Sequence, residues 1–232
     1  MDRIRNSTQY DFSPDAGSSY RVGWKVMGAY FVELLVVTII YGIIAGPVSI
    51  FQWKTDRFEW FLVPLILFAL LYGIFVAGPI GYSVKWVFLK AVRGEHIEIR
   101  DMFAAFQRNY WNVVIANIVV DIIIGLGVVM LIVPGIIFAC RLAFVPYLVM
   151  DREMDVMDAL RTSWDMTRGY GWQIFFMGFL AIFIVIGGLI LLFVGVIISS
   201  MWISAAFASI YYSVVLQNGI PGYPYTGEPQ KE

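Results

Sequence analysis

Three ionisable side chains stand inside long apolar stretches of this sequence: Glu33, Asp121 and Arg141. A charge at the centre of a bilayer costs at least about 2.5–3.5 kcal/mol, so each should face other helices and find a partner there. Residues kept at that cost are candidates for binding ions, carrying protons or holding charged ligands. We therefore take these three as the candidate functional residues.

The three charges are expected to lie at a similar depth. Each stands eight to ten residues from the charged or aromatic residue that ends its apolar run. At 1.5 Å per residue, this places all three roughly 12–15 Å below the same membrane surface. Because Asp121 and Arg141 lie on successive antiparallel spans, we expect them to pair, with Glu33 as a third member or an alternative partner. Such a pair could fix the helix register. The two alternative roles are a site for a lipid headgroup or anion, and a path for protons or ions.

Enzymatic chemistry has little support in the sequence. The single histidine, His96, lies between Glu95 and Glu98, but a zinc site would need a second histidine or a cysteine. The single cysteine, Cys140, permits neither an internal disulfide nor a thiolate metal cluster. The sequence contains no phosphate-binding glycine loop and no nucleophile elbow. We therefore predict no catalytic residues, no metal, no cofactor and no enzymatic activity.

The composition is that of a membrane protein. Of the 232 residues, 60% are hydrophobic and 14% are charged, whereas soluble domains are about half apolar and a quarter charged. The 16 basic and 17 acidic residues nearly cancel, which argues against a nucleic-acid partner. Membrane lipids are thus the predicted partners, and another membrane protein or complex is a further candidate.

Apolar runs of about 20 residues, enough to cross ~30 Å of hydrocarbon, predict six transmembrane helices. Two of the runs are too long for one span. We expect the first to divide at the turn-forming triplet Val133-Pro134-Gly135 and the second to turn near residues 195–200. The spans lie in four runs, residues 26–51, 60–84, 111–150 and 172–217.

The distribution of basic residues predicts the orientation of the spans. Lysines and arginines concentrate in the two terminal segments and in the segments after the second and fourth spans. The opposite loops hold only Lys54 and Arg57. Because short loops rich in basic residues stay in the cytoplasm, both termini are predicted to be cytoplasmic.

A short amphipathic segment precedes each predicted hairpin. The segments IEIRDMFAAFQRNYW and DVMDALRTSWDMTRGYGW place apolar residues at helical spacing, and aromatic residues follow them. We expect helices that lie in the headgroup plane; connectors packed under the bundle and a partner-docking site are the alternatives. The interfacial or partner-contact candidates are Phe103, Phe106, Tyr110, Trp111, Leu160, Trp164, Tyr170 and Trp172.

The amphipathic segments suggest an internal repeat. WKVMGAYF aligns with WDMTRGYG, with Trp and Tyr six positions apart in both. The predicted organisation is a cytoplasmic N-terminal segment (1–19), a membrane domain (20–217) and a disordered cytoplasmic tail (218–232). Within the membrane domain, three repeats of about 16–91, 98–151 and 155–217 each hold an amphipathic segment and a hairpin.

Two stretches carry a family resemblance. AGPIGYSVKWVFLKAVRGE and MLIVPGIIFACRLAFVPYLVMDREMDVMDALRTSWDMTRGYGWQIF resemble a broad group of uncharacterised prokaryotic multi-pass membrane proteins. That group is related to the membrane domain of some glycerophosphoryl diester phosphodiesterases. The resemblance implies a six-helix integral membrane domain in a prokaryotic cytoplasmic (inner) membrane. It does not imply phosphodiesterase activity, which belongs to a separate soluble domain in those enzymes.

The sequence as a whole predicts an all-α integral membrane protein with six transmembrane helices in three hairpins. Its expected role is that of a non-enzymatic accessory or scaffolding subunit, or a membrane-organising protein. The alternative is a small transporter or lipid-handling protein that uses the layer of Glu33, Asp121 and Arg141.

Overall fold

The computed structural model describes residues 13–51, 62–190 and 192–219. Residues 1–12, the loop that carries Lys54 and Arg57, and the predicted tail from residue 220 onward lie outside the described residues. Within the described ranges the chain is all α, with no strand. The helices are α1 (Ala16–Ala29), α2 (Phe31–Phe51), α3 (Leu62–Tyr72), α4 (Gly78–Arg93), α5 (Ala104–Gln107), α6 (Tyr110–Met130), α7 (Ile132–Arg141), α8 (Val145–Asp151), α9 (Val156–Met166), α10 (Gly171–Ile190) and α11 (Leu192–Asn218), with a π-helical turn (Gly73–Ala77) and a 3-10 turn (Ile99–Phe103).

Among the described residues, five helical segments are long and apolar enough to cross a membrane. A sixth span is available only if α1 and the part of α2 up to Gly46 count as one, and these two helices bend by 97° at Tyr30. The predicted all-α, multi-pass membrane fold is confirmed, with five or six helices among the described residues that can span a membrane. The five segments are Ile66–Arg93, Tyr110–Met130, Ile132–Asp151, Gly171–Ile190 and Val194–Gln217.

Both predicted turns within the long runs were misplaced. The first lies at Leu131, whose backbone is extended, and Pro134 falls in the first turn of α7. Proline is tolerated there because the first N–H groups of a helix have no intrahelical acceptor. In the second run, α10 ends at Ile190 and α11 begins at Leu192, so residues 195–200 are helical. Gly195 lies within α11, and it is Gly188 of α10 that allows close packing there, since a Cβ on Gly188 would lie 2.7 Å from the carbonyl oxygen of Gly195.

The buried core surrounds the three helices that return toward the charged ends of the spans, α4, α8 and α11. At its centre the ring of Tyr211 stacks on Tyr147 at 4.9 Å and meets Phe144 edge-on at 5.4 Å. All three side chains are almost completely buried. Many apolar side chains of α6 and α10 are exposed, as expected for helices that face lipid.

An ion pair joins the ends of α4 and α8. The guanidinium of Arg93 donates to both carboxylate oxygens of Asp151, at 2.5 and 2.7 Å. The hydroxyl of Tyr211 on α11 donates to the same carboxylate at 3.4 Å, and Arg93 lies 5.5 Å from the ring centre of Tyr212. Arg93 belongs to the basic segment that follows the second predicted span, and its position in the sequence does not predict this contact. The contact ties all three return helices together.

The segment after α4 is a 3-10 turn followed by the short α5, rather than one amphipathic helix. Asp101 fixes it: its carboxylate accepts from Lys90 Nζ at 2.7 Å and from the backbone N–H of Glu98 at 3.0 Å. Burial raises the pKa of Asp101, but the two hydrogen bonds lower it by more. The pKa of Asp101 in the folded protein therefore lies below its usual range.

We expect Asp101→Asn to release this turn and to weaken folding by about 1 kcal/mol, since it removes a charge-assisted hydrogen bond. In the unchanged protein the bond persists above the usual aspartate pKa of about 3.9 and is lost as pH falls through the lower folded pKa. Hydrogen exchange at the Glu98 amide measures this: protection should fall only in that acidic range, and should already be low at neutral pH in the variant. Protection that survives full protonation of Asp101 would contradict the assignment.

Candidate functional site

The structure does not bring the three predicted membrane charges together. Glu33 lies in the first turn of α2, where a carboxylate suits the positive end of the helix dipole. Asp121 lies within α6, and Arg141 is the last residue of α7. The expected pair is wrong: among the described residues no ion pair joins Asp121 to Arg141. Matching depths do not fix the rotation of each helix, and here the two side chains face different neighbours.

Arg141 stands where the spanning segment Ile132–Asp151 breaks. The turn at residues 142–144 separates α7 from α8, and Pro146 opens α8. The N–H of Val145 donates to the carbonyl of Leu142, so the carbonyl of Arg141 loses its usual helical donor. Two hydroxyls of the α9 region replace that donor, Ser163 Oγ at 2.8 Å and Thr167 Oγ1 at 3.3 Å. The helix α9, one of the predicted amphipathic segments, is therefore packed against this break.

The guanidinium of Arg141 lies against an aromatic ring. Its Cζ is 5.4 Å from the centre of the Trp164 indole, a cation–π distance. Phe138 lies one turn earlier on α7, and its ring centre is 6.1 Å from that of Trp164. Arg141 Nη1 is buried and has no hydrogen-bond partner among the described residues. A buried guanidinium N–H in that state is a free donor for an anionic ligand.

A cleft of about 370 Å³ opens beside this ring. Its apolar wall comes from α6, α9 and the break, and its rim carries Arg161 and Arg168. Arg168 Nε is 3.4 Å from a carboxylate oxygen of Asp165, and both side chains are largely exposed. The cleft thus has two basic groups on its rim and an apolar wall, and Arg141 lies against Trp164, which lines the cleft. These features suit a molecule with an anionic head and an apolar body. The lining residues are Ile123, Leu142, Leu160, Arg161, Trp164, Asp165 and Arg168.

Asp121 belongs to a second polar group, between α4 and α6. Its carboxylate accepts from Asn117 Nδ2 at 3.2 Å. The basic group that acts on it electrostatically is Lys85 of α4, whose Nζ lies 5.7 Å from the ring centre of Tyr82. Lys85 and Asp121 are both exposed, and they form no ion pair in the part of the chain that the structure describes. Lys85 directly follows the predicted span 60–84, so its residue type and position did not predict this group.

The predicted interfacial residues divide between surface and core. Phe103, Phe106, Trp111 and Trp172 are exposed, whereas Tyr110, Leu160, Trp164 and Tyr170 are half-buried. The hydroxyl of Tyr110 donates to the carbonyl of Phe75 in the π-helical turn at 2.9 Å, so this side chain braces the bundle. The exposed members could meet lipid headgroups, while the half-buried members position neighbouring helices.

Comparison with known proteins gives no relative: no family model, curated protein or solved structure matches this chain. The resemblance to prokaryotic multi-pass membrane proteins and the internal repeat stay predictions.

Proposed function

We propose that this chain is a non-enzymatic, membrane-organising protein of a prokaryotic cytoplasmic membrane that holds an anionic lipid at the cleft between α6 and α9. The observation that carries the proposal is Arg141: its buried Nη1 has no hydrogen-bond partner among the described residues, and its guanidinium lies 5.4 Å from the ring centre of Trp164, which lines the cleft. Both termini are cytoplasmic in this proposal, which puts the rim arginines in the inner headgroup region.

The energetics support a phosphate at this position. A buried donor without a partner costs about 1–3 kcal/mol, and more when it is charged. A phosphate oxygen would remove that cost through a charge-assisted hydrogen bond, for which guanidinium is well suited. Trp164 suits the headgroup region, and the apolar wall of Ile123, Leu142 and Leu160 suits the start of an acyl chain.

The three membrane charges give less support to a transporter. A proton or ion path needs successive titratable groups along one route. Arg141 faces α9, whereas Asp121 faces α4 and Glu33 lies in the first turn of α2. The predicted alternative was a small transporter or lipid-handling protein. We keep the lipid-handling form, with Arg141 as its main residue.

The test is lipid retention after Arg141→Gln. Protein from nanodiscs of equal phosphatidylglycerol and phosphatidylcholine is released into the gas phase, and bound lipids are counted by native mass spectrometry. We expect the unchanged protein to retain phosphatidylglycerol, and the variant to retain about tenfold less, the equivalent of one ~1.4 kcal/mol contact.

Arg100→Gln is the matched control, because Arg100 is a 76% exposed arginine on a different element, the 3-10 turn. It should retain as much phosphatidylglycerol as the unchanged protein. Equal retention by the Arg141 and Arg100 variants would overturn the proposal. A stoichiometric protein in the same spectra, with no preference for anionic lipid, would support the accessory-subunit prediction instead.

A further inference from the structure

A pair of opposite charges is exposed on the membrane-spanning surface between α4 and α6. Lys85 stands eight residues before the end of α4 at Arg93, and Asp121 stands eleven residues after the start of α6 at Tyr110. At 1.5 Å per residue, both lie roughly 12–16 Å from the charged end of the bundle. Each is exposed, and they form no ion pair with each other among the described residues.

This surface is costly if it faces lipid tails. Charged side chains in a membrane are stable only beside partners, in a cavity or at an interface. Within the described chain, Asp121 has one hydrogen bond from Asn117, and Lys85 has a contact with the Tyr82 ring. Neither contact supplies the opposite charge at bonding distance, so a further group must cover the surface.

We propose that a second copy of this chain covers it. A two-fold axis would place Asp121 of each copy beside Lys85 of the other, because one acid and one base on the same surface are complementary to themselves. Two ion pairs would then form between the copies, in a setting where no water competes for them.

The neighbouring surface of α6 suits close approach. Gly125, one helical turn beyond Asp121, has open space where a side chain would stand. Ile122 and Leu126 beside it are 54% and 60% exposed. Small residues let the backbones of membrane helices come close, and flanking apolar side chains then pack across the contact. The interface we propose therefore joins a central pair of charges to an apolar border.

Charge reversal in trans tests this interface. Two variants, Asp121→Lys and Lys85→Asp, are expressed separately and together with different affinity tags, and copies per particle are counted by native mass spectrometry. In either variant alone, positions 85 and 121 carry the same charge, so like charges would meet across the two-fold axis. The dimer fraction of that variant should fall at least tenfold. Co-expression should restore dimers that carry one copy of each variant, since every contact then joins opposite charges.

The mixed experiment separates contacts between copies from contacts within one chain. If Lys85 and Asp121 pair within a chain, the double reversal in one chain restores folding but co-expression does not, and the proposal fails. It also fails if the unchanged protein is a monomer in bilayers, whether a lipid or another protein covers the surface. If the single variants accumulate poorly, recovery of both tags in one particle on co-expression still measures the contact. The lipid proposal is tested separately: the basic residues at the cleft, Arg141, Arg161 and Arg168, lie outside α4 and α6, although Ile123 of the cleft wall belongs to α6.

Discussion

Replacing Asp151 with alanine is expected to destabilise the folded protein by about 3 kcal/mol, because it leaves the largely buried Arg93 guanidinium with only the more distant and more exposed Glu95, at 3.8 Å, as an anion. The side chains of Arg93 and Asp151 are 18% and 7% exposed, and two hydrogen bonds of 2.5 and 2.7 Å join them. The carboxylate also accepts from Tyr211 at 3.4 Å. One substitution therefore removes the polar contact that α4, α8 and α11 share.

The matched control is Asp165→Ala. Asp165 also forms an ion pair with an arginine, but its partner Arg168 and its own side chain are 69% and 49% exposed. Exposed pairs contribute at most about 0.5–1 kcal/mol, so this control should barely change stability. Unfolding by a denaturing detergent in mixed micelles gives both free energies. A loss at Asp151 no larger than the loss at Asp165 would show that the buried pair does not hold the return helices.

Replacing both partners separates the contribution of the pair from the cost of a buried lone charge. Arg93→Met combined with Asp151→Leu removes both charges and keeps apolar volume in the site. Buried ion pairs replaced in this way are often neutral or stabilising. We expect the double variant to recover most of the stability lost in Asp151→Ala, measured by the same detergent unfolding.

The spans could be predicted from the sequence because transfer into lipid depends on local composition. A run such as Tyr110–Met130 is apolar throughout, and its length alone fits the membrane. The breaks were less predictable, because proline and glycine have several uses. Pro134 begins a helix instead of ending one, and Gly195 lies within α11, packed against Gly188 of α10, instead of forming a turn.

The partners of the charged residues could not be predicted, because they depend on how each helix is rotated and packed. Depth put Arg141 and Asp121 in one layer, but the partner of Arg141 is Trp164, on a helix expected at the membrane surface. Lys85 acts on Asp121 from a helix 36 residues earlier. Apolar periodicity cannot report such contacts, since each one depends on how two helices are rotated against each other.

The contact between α1 and α11 illustrates the same limit, and it carries the last large prediction. Gly23 lies against the backbone of α11: a Cβ there would be 2.8 Å from the nitrogen and 3.0 Å from the Cα of Ala206. Around it, Trp202 Nε1 donates to the carbonyl of Tyr20, and the Tyr20 hydroxyl donates to the carbonyl of Met177 on α10, both at 2.8 Å.

Gly23→Ala is therefore expected to destabilise the protein by about 2–3 kcal/mol, because the clash is with backbone atoms that cannot rotate away. Gly28→Ala is the control within the same helix: nothing lies within 4 Å of its added Cβ, so it should be neutral or stabilise by up to ~1 kcal/mol. Detergent unfolding gives the free energies, and trypsin cleavage after Arg21 or Lys25 reports whether α1 has left α11. Equal stability and equal cleavage in the two variants would show that α1 can move from α11 at little cost, and the buried face of α1 would then not anchor the first span to the bundle.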